Sequence, residues 1–155
     1  MNQYHIAFGV YGIFIQKESL LVIRKNGGPY IHRFDLPGGS LEDGESLTNA
    51  LMREVTEETG LQVQAFNQLG TINFLYPWSY EETSMNNHIC VFYQISAWSG
   101  NILKETDNFD GQDSLGALWI PFEEINLSNS SLLVLKAKEF YQKKKFIVAD
   151  QYLSD

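Results

Sequence analysis

Three glutamates, Glu54, Glu57 and Glu58, lie close together in the segment REVTEETG. On a helix, positions i, i+3 and i+4 are neighbours, so these carboxylates would converge within an arc of about 100°. No Lys or Arg follows four residues later to offset their mutual repulsion. Carboxylate oxygens are the ligands that Mg²⁺ and Mn²⁺ prefer, and both ions also bridge to phosphate oxygens. The spacing therefore indicates a divalent metal site, and the alternative is a solvated acidic face.

The sequence around these glutamates predicts the helix that would position them. TNALMREVTEET contains strong helix formers and neither Pro nor Gly. Ser46 is expected to cap the N-terminus of the helix and Gly60 to end it, so we predict a helix over about 47–59.

The residues on both sides of this helix complete a longer pattern. It consists of a glycine, an isolated glutamate, an Arg–Glu pair, a Glu–Glu pair and a closing Gly–Leu: Gly39, Glu45, Arg53, Glu54, Glu57, Glu58, Gly60 and Leu61. The stretch GGSLEDGESLTNALMREVTEETGL resembles the Nudix box, the signature of the Nudix (MutT-like) hydrolases, over residues 39–61. The resemblance extends more weakly to the preceding RFDLPGG and to the later LWIPFEEI.

The resemblance implies an α/β fold, the Nudix α/β/α sandwich with a mixed β-sheet between helices, formed by one domain over residues 1–155. It also implies Mg²⁺- or Mn²⁺-dependent hydrolysis of a nucleoside diphosphate linked to another moiety, such as a nucleoside triphosphate, a nucleotide sugar or ADP-ribose. The expected partner is thus a small nucleotide, and the family further suggests a homodimer.

The same resemblance assigns roles within the box. Glu54 and Glu58 are the principal expected metal ligands, and Glu57 is either a third ligand or a group that positions water. The backbone carbonyl of Gly38 is expected to reach the metal. Either Glu54 or Glu57 is the first candidate for the general base.

Other box positions are expected to shape the loop and the helix. Glu45 and Arg53 are expected to form an ion pair that orients the loop on the helix, which is a structural role, and the resemblance also counts Arg53 among the catalytic residues. Gly38 and Gly39 would permit backbone geometry that a Cβ atom hinders. Asp113 stands where relatives commonly carry a glutamate, so it is an additional candidate acid.

Residues outside the box supply the candidates for substrate binding. Four basic residues precede the box and are expected to meet a terminal phosphate: Arg24, Lys25, His32 and Arg33. In the segment FLYPWSY, aromatic residues alternate, and Trp78 and Tyr80 are the candidates for stacking on a base. Phe74 is expected in the core, and His88 is interpreted as a structural residue of the next strand.

The remaining segments predict strands followed by a helix. Segments 6–16 and 19–25 are expected to form a hairpin, and 62–78 and 86–98 a pair of long strands joined by a polar loop. GALWIPF predicts a short strand, and 130–145 predicts a helix with serines at its start and lysines in its last turns. This order predicts a mixed sheet covered by helices.

Composition excludes several classes of protein. The net charge of −8 argues against a broad basic surface for DNA or RNA. The apolar run near the N-terminus is too short to span a bilayer and lacks the features of a signal peptide, so no membrane partner is expected. The single cysteine, Cys90, excludes an internal disulfide and is expected to be a buried thiol. We therefore expect a cytoplasmic location.

Three other functions stay open. A Nudix-fold module that senses a nucleotide without cleaving it usually lacks box carboxylates, which this chain keeps. An RNA 5′-end pyrophosphohydrolase would need a local basic groove despite the acidic net charge. Isomerase chemistry on a diphosphate is the third alternative, and no residue specifically favours it.

Overall fold

The computed structural model describes residues 3–105, 112, 114–149 and the backbone of 151–152. Its strands are β1 Tyr4–Ile13, β2 Ile15–Gln16, β3 Ser19–Lys25, β4 Phe34–Asp35, β5 Gly38–Gly39, β6 Gln62–Tyr80, β7 Thr83–Ser99, β8 Ser114–Pro121 and β9 Gln151–Tyr152. Its α-helices are α1 Leu47–Thr59 and α2 Leu132–Lys143, and a short 3₁₀ helix spans Phe122–Glu124. None of the helices in this described part is long and apolar enough to cross a membrane.

The larger sheet is mixed and has the order β5-β1-β7-β6-β9. Strand β1 runs parallel to β7 along its whole length, from Tyr4 opposite Met85 to Ile13 opposite Gln94. Strands β6 and β7 form a long antiparallel hairpin, and β5 pairs antiparallel with the end of β1. The short β5 therefore places Gly38 and Gly39 beside β1, at the edge of this sheet.

The smaller sheet is antiparallel and is centred on β3, which pairs with β2, β4 and β8. The prediction of a continuous strand over 6–16 is wrong, because residues 4–13 pair with β7 while Ile15 and Gln16 pair with β3. The chain thus changes sheets at Phe14, and the expected hairpin is confined to β2 and β3.

Two buried clusters cover opposite faces of the larger sheet, because successive side chains of a strand point to opposite faces. Cys90 and Phe92 of β7 belong to the cluster that includes Leu133 and Val134 of α2. Val91 belongs to the cluster that includes residues of α1 such as Leu51 and Val55. One helix therefore covers each face, as the predicted sandwich requires.

Both predicted helices are confirmed, with ends set by the expected residues. Ser46 caps α1 by accepting a hydrogen bond from the Asn49 amide at 3.1 Å, and Gly60 ends it with φ 78°. Ser131 caps α2 through the Val134 amide. The predicted β6–β7 pair is also confirmed, although it continues through Pro77 as far as Tyr80, so the connecting turn is shorter than expected.

Candidate active site

Arg53 links the helix to the loop that precedes it. Its Nε and Nη2 atoms donate to the two carboxylate oxygens of Glu45, each at 2.8 Å, and Nη2 also donates to the Ser40 carbonyl at 3.0 Å. These hydrogen bonds, with one from the Glu42 amide, lower the pKa of Glu45 to about 2. The expected Glu45–Arg53 ion pair is confirmed, and it holds the loop against α1.

The same guanidinium contacts two of the candidate metal ligands. Arg53 Nη1 donates to Glu54 Oε1 at 3.0 Å and to Glu57 Oε2 at 3.3 Å. The repulsion between these glutamates is therefore offset by a cation that precedes Glu57 by four residues. This contact was not predicted from the sequence, where only the residues that follow the glutamates were considered.

Glu58 is held separately, at the buried side of α1. Its side chain accepts a hydrogen bond from the Gly38 amide at 2.7 Å, and the residue is only 2% exposed. Gly38 has φ +147°, and a Cβ atom there would lie 2.0 Å from the Val10 carbonyl oxygen. Only glycine therefore allows β5 to approach both β1 and Glu58 so closely.

Gly39 leaves room for the carboxylate of Glu54. A Cβ atom on Gly39 would lie 2.8–2.9 Å from the Glu54 carboxylate atoms, closer than nonbonded atoms normally approach. The absence of a side chain at Gly39 thus leaves the space that the Glu54 carboxylate occupies beside the loop.

The three glutamates supply the donor chemistry of a hard divalent cation. In the described residues, however, no three Asp, Glu, His or Cys side chains lie close enough together to hold a metal ion. The reason is visible in their contacts, because Glu54 and Glu57 turn to Arg53 while Glu58 turns to Gly38. The oxygen ligands and the space beside Gly39 fit Mg²⁺ or Mn²⁺, provided that the side chains rotate toward the ion.

Replacing Arg53 with lysine is expected to lower catalytic turnover by about 10- to 100-fold, an effect typical of groups that orient metal ligands. Lysine keeps the positive charge, but its single ammonium cannot bond Glu45, Glu54 and the Ser40 carbonyl together as the planar guanidinium does. Steady-state kinetics and thermal unfolding check this expectation. Unchanged kcat and Tm in the lysine variant would show that charge alone is sufficient.

A cavity of about 300 Å³ opens beside the box. Gly38, Gly39 and Glu54 line one side of it. The remaining lining residues that carry polar or aromatic side chains are His5, Phe8, Tyr11, Lys25, Tyr30, Asp35, Ser40, Tyr76, Trp78, Asn86 and His88. A small molecule in this cavity would thus contact the box carboxylate and an aromatic wall together.

Aromatic rings gather on one wall of the cavity. Trp78 stacks on Tyr80 with ring centroids 5.1 Å apart, and His5 packs against both rings. Trp78 lines the cavity, whereas Tyr80 is 41% exposed and supports Trp78 from outside the lining. Phe74 lies in the core, as predicted.

The polar groups on the inner wall are connected to one another. The Asn86 amide donates to the Tyr76 hydroxyl at 2.7 Å, and its carbonyl oxygen lies 3.1 Å from His5 Nδ1. Burial raises the pKa of Tyr76 to about 12, so its hydroxyl stays protonated.

His88, interpreted from the sequence as a structural residue, is a buried residue that also lines the cavity. Its Nε2 lies 2.8 Å from the Tyr11 hydroxyl, while its Nδ1 is buried without a hydrogen-bond partner in the described residues. Burial, with smaller contributions from Lys25 and His5, lowers the pKa of His88 to about 4. The side chain is thus neutral at physiological pH, and it lines the cavity.

Buried His88 is expected to make the protein lose stability in acid. The unfolded chain binds a proton at this residue as the pH falls below its ordinary pKa of 6.5, whereas the folded chain does so only near 4. Stability is therefore lost as the pH falls through this window, by up to about 3 kcal/mol. Urea unfolding of the wild type and His88→Gln at several pH values measures this, because the variant lacks the titrating group. If the free energy of unfolding changes with pH in the same way in the wild type and in His88→Gln, the expectation is contradicted.

Of the four basic residues predicted to meet a phosphate, one lines the cavity and three do not. Arg24 donates to the Lys104 carbonyl at 2.7 Å, and Arg33 is exposed, so neither lines the cavity. Lys25 is the basic residue that lines it. Asp113 lies outside the described residues.

Several lining residues that were not predicted to bind substrate follow the period of a strand. His5, Ala7 and Tyr11 lie two and four residues apart in β1, and Asn86 and His88 lie two residues apart in β7. Polar residues that alternate within an apolar strand share one face. This alternation was a usable signal, but only the parallel pairing of β1 with β7 brings the two sets together.

Comparisons with known proteins agree with this architecture. A family model described as NUDIX domain matches residues 3–144. An ADP-ribose pyrophosphatase from Methanocaldococcus jannaschii is 39% identical over 66 residues, which cover 43% of this chain and 39% of the relative. An 8-oxo-dGTP diphosphatase from Buchnera aphidicola is 29% identical over 94 residues, covering 60% of this chain and 65% of the relative. The chain thus spans less than two-thirds of the length of either relative.

Solved structures share the fold. The crystal structure of a MutT NUDIX hydrolase from Burkholderia pseudomallei superimposes with a TM-score of 0.70 over 87% of this chain and 97% of that one, at 18% sequence identity. This likeness concerns the fold, and the family follows from the match over residues 3–144. The chain belongs to the Nudix family.

Proposed function

We propose that this protein hydrolyses a phosphoric anhydride bond in a small nucleotide, with Mg²⁺ or Mn²⁺ as cofactor. The supporting observation is the cavity of about 300 Å³ in which Gly38, Gly39 and Glu54 face the same space as Trp78 and His88. Its lining combines carboxylates and glycine backbone with aromatic and neutral polar side chains. A nucleotide likewise combines charged phosphates with an aromatic base.

The carboxylate end suits the reacting phosphates only if their charge is neutralised. Glu54, Glu57 and Glu58 are the residues that would hold the metal ion. When bound, such an ion supplies positive charge for the phosphoryl oxygens and acidifies a coordinated water. Lys25 adds a second positive charge at the wall of the cavity.

The protein's own residues would orient the reacting groups. Arg53 holds Glu54 and Glu57 on one side of α1, and Glu45 in turn holds Arg53. Either Glu54 or Glu57 would accept a proton from the attacking water, since both are close to the loop and partly exposed. Glu58 would connect the metal end to Gly38, whose amide it already binds.

The aromatic end would receive the base. Trp78 offers an indole ring that Tyr80 and His5 hold in place, which lowers the entropic cost of stacking on a ligand. The names of the relatives suggest ADP-ribose and 8-oxo-dGTP as the first substrates to test. Nucleoside triphosphates and nucleotide sugars share the same linkage and belong in the panel.

The test is a hydrolysis panel with these nucleotides in Mg²⁺, in Mn²⁺ and with excess EDTA, followed by product identification. We expect cleavage of at least one small nucleotide, which EDTA abolishes and restored Mg²⁺ recovers. Incorporation of oxygen from ¹⁸O-labelled water into one product would identify the phosphorus that water attacks.

Two results would contradict this proposal. Nucleotide binding without cleavage, in the presence of both metals, would instead indicate a sensing module. Cleavage confined to long RNA, with strong salt dependence, would indicate an RNA 5′-end pyrophosphohydrolase.

A further inference from the structure

The first half of β1 forms an open edge of the larger sheet. Strand β5 pairs with β1 only at Val10 and Tyr11. From Tyr4 to Gly9, no strand in the described part of the chain pairs with β1 on that side. This stretch therefore presents backbone groups at the margin of the sheet.

The backbone groups that face this edge belong to alternate residues. The Gly12 amide donates to the Pro37 carbonyl at 2.9 Å, just before β5, so it points toward the edge. The amides of a strand point alternately to its two sides, and β1 follows β7 without a shift in register. The amides and carbonyls of Phe8, Ile6 and Tyr4 therefore point toward the edge as well.

The same three residues carry exposed apolar side chains. Tyr4 is 49% exposed, Ile6 66% and Phe8 37%. Because they are two residues apart, their side chains lie on one face of the sheet. An edge that combines outward backbone groups with exposed apolar side chains is a surface to which another strand can pair.

This edge lacks the features that usually protect an edge strand, which are charged side chains, proline and bulges. Residues 1–16 contain no Asp, Glu, Lys, Arg or Pro, and the pairing of β1 with β7 is regular throughout. Strand β6, on the other side of the sheet, differs in each respect that its pairing shows. It contains Pro77, its register shifts at several points, and β9 covers it at Phe74 and Leu75.

A second copy of this chain is complementary to the edge. Two-fold symmetry would set two β1 strands antiparallel about Ile6, so that Ile6 meets Ile6 of the partner subunit and Tyr4 meets the partner subunit's Phe8. The apolar side chains of both copies then lie on the same face of one continuous sheet. The net charge of −8 makes two copies repel each other over most of their surfaces, whereas this edge carries no Asp, Glu, Lys or Arg.

We propose that this protein forms a dimer in which the open edges of two β1 strands pair antiparallel about Ile6. On the other face of the sheet, the partner's His5 then stands next to Ala7, which lines the cavity. The dimer thus brings a side chain of the partner to the rim of each cavity. This inference goes beyond the proposed function and does not depend on it, because association is measured without nucleotide.

Sedimentation equilibrium over a wide range of protein concentrations measures the dissociation constant of the dimer. One pair of strands buries less than the about 800 Å² per partner of a standard interface, so a dissociation constant of about 10–100 µM is expected. A wild type that stays monomeric at the highest concentration would overturn the proposal and leave the edge to a strand of another protein.

Replacing Ile6 with lysine places two like charges opposite each other, so the dissociation constant is expected to rise at least about tenfold. Ile6 is largely exposed, so the fold is retained, which circular dichroism checks. Leu127→Lys is the matched control, because Leu127 is 56% exposed and lies outside the strands and helices. An unchanged constant in Ile6→Lys, or an equal rise in Leu127→Lys, would contradict this interface.

A mixture of Ile6→Lys and Ile6→Glu tests the position of the two-fold axis. Each variant alone sets like charges opposite each other, whereas the mixed dimer pairs opposite charges. The mixture is expected to associate at least about tenfold more tightly than either variant alone. Equal constants in all three samples would overturn the antiparallel register. If an Ile6 variant does not fold, Tyr4→Lys compared with Leu127→Lys still decides, since Tyr4 meets the partner subunit's Phe8.

The result is separable from that of the hydrolysis panel. A dimer with this interface that cleaves no nucleotide would contradict the proposed function alone. A monomer that cleaves a nucleotide would contradict the β1 interface alone.

Discussion

Replacing Glu54 with glutamine is expected to lower kcat by about three orders of magnitude while leaving the fold intact. Glutamine has the same shape, and its carbonyl oxygen can still accept the hydrogen bond from Arg53 Nη1 and fill the space beside Gly39. What disappears is the negative charge, which is the property that holds a cation and accepts a proton. Loss of the metal-assisted stabilisation of charge in the transition state raises the activation free energy by several kcal/mol, which corresponds to about a thousandfold lower rate.

The measurement is steady-state kinetics on the substrate that the panel identifies, with a Mg²⁺ titration and thermal unfolding of each variant. Glu124→Gln is the matched control, because Glu124 is exposed in the 3₁₀ helix and does not line the cavity. Its kcat should equal that of the wild type. If a folded Glu54→Gln variant retains more than about a tenth of wild-type kcat, Glu54 is neither the principal ligand nor the base.

Replacing Gly38 with alanine is expected to destabilise the protein by at least about 4 kcal/mol, because the new Cβ atom cannot be accommodated locally. It would lie 2.0 Å from the Val10 carbonyl and 2.7 Å from the Tyr11 Cα, both of which are backbone atoms of a central strand. Relief requires β5 to separate from β1, which also breaks the hydrogen bond between the Gly38 amide and Glu58.

Thermal unfolding monitored by circular dichroism measures this effect, and a fall in Tm of about 10 °C or more is expected for a chain of this size. Gly44→Ala provides the control, since Gly44 has φ +74° but no atom within 4 Å of the added Cβ. That variant should lose only about 1–2 kcal/mol, the cost of the backbone conformation alone. Equal losses in the two variants would show that the close approach of β5 to β1 is unimportant.

Short-range sequence signals determine the bounds of α1, the Glu45–Arg53 ion pair and the two long strands. The N-cap Ser46, the closing Gly60 and the absence of Pro or Gly between them set the bounds of α1, because these effects act within one or two turns. The spacing of the box residues likewise predicted the Glu45–Arg53 ion pair, which bridges a short loop and one helix. The high content of β-branched and aromatic residues predicted β6 and β7, which is also a local property of the sequence.

Contacts between distant segments of the chain were not predicted from the sequence. Arg53 reaches forward to Glu57 and back to Glu45, so a rule for neighbouring charges on a helix described only part of its surroundings. Phe14 looked like the middle of one strand, yet the chain changes sheets there. Neither outcome depends on local propensity, since both are decided by which partner strand or loop the rest of the chain provides.

The sequence by itself determined the family, the helices and the carboxylates that could hold a metal, since all three depend on residue types at short, regular spacings. The tertiary structure alone decided what stands opposite those carboxylates. The parallel pairing of β1 with β7 places Tyr11 near His88, although they are 77 positions apart in the chain, and the pairing of β5 with β1 brings Gly38 to Tyr11. The side of the cavity that His88 lines exists because long-range strand pairing sets these distances, and no local pattern encodes them.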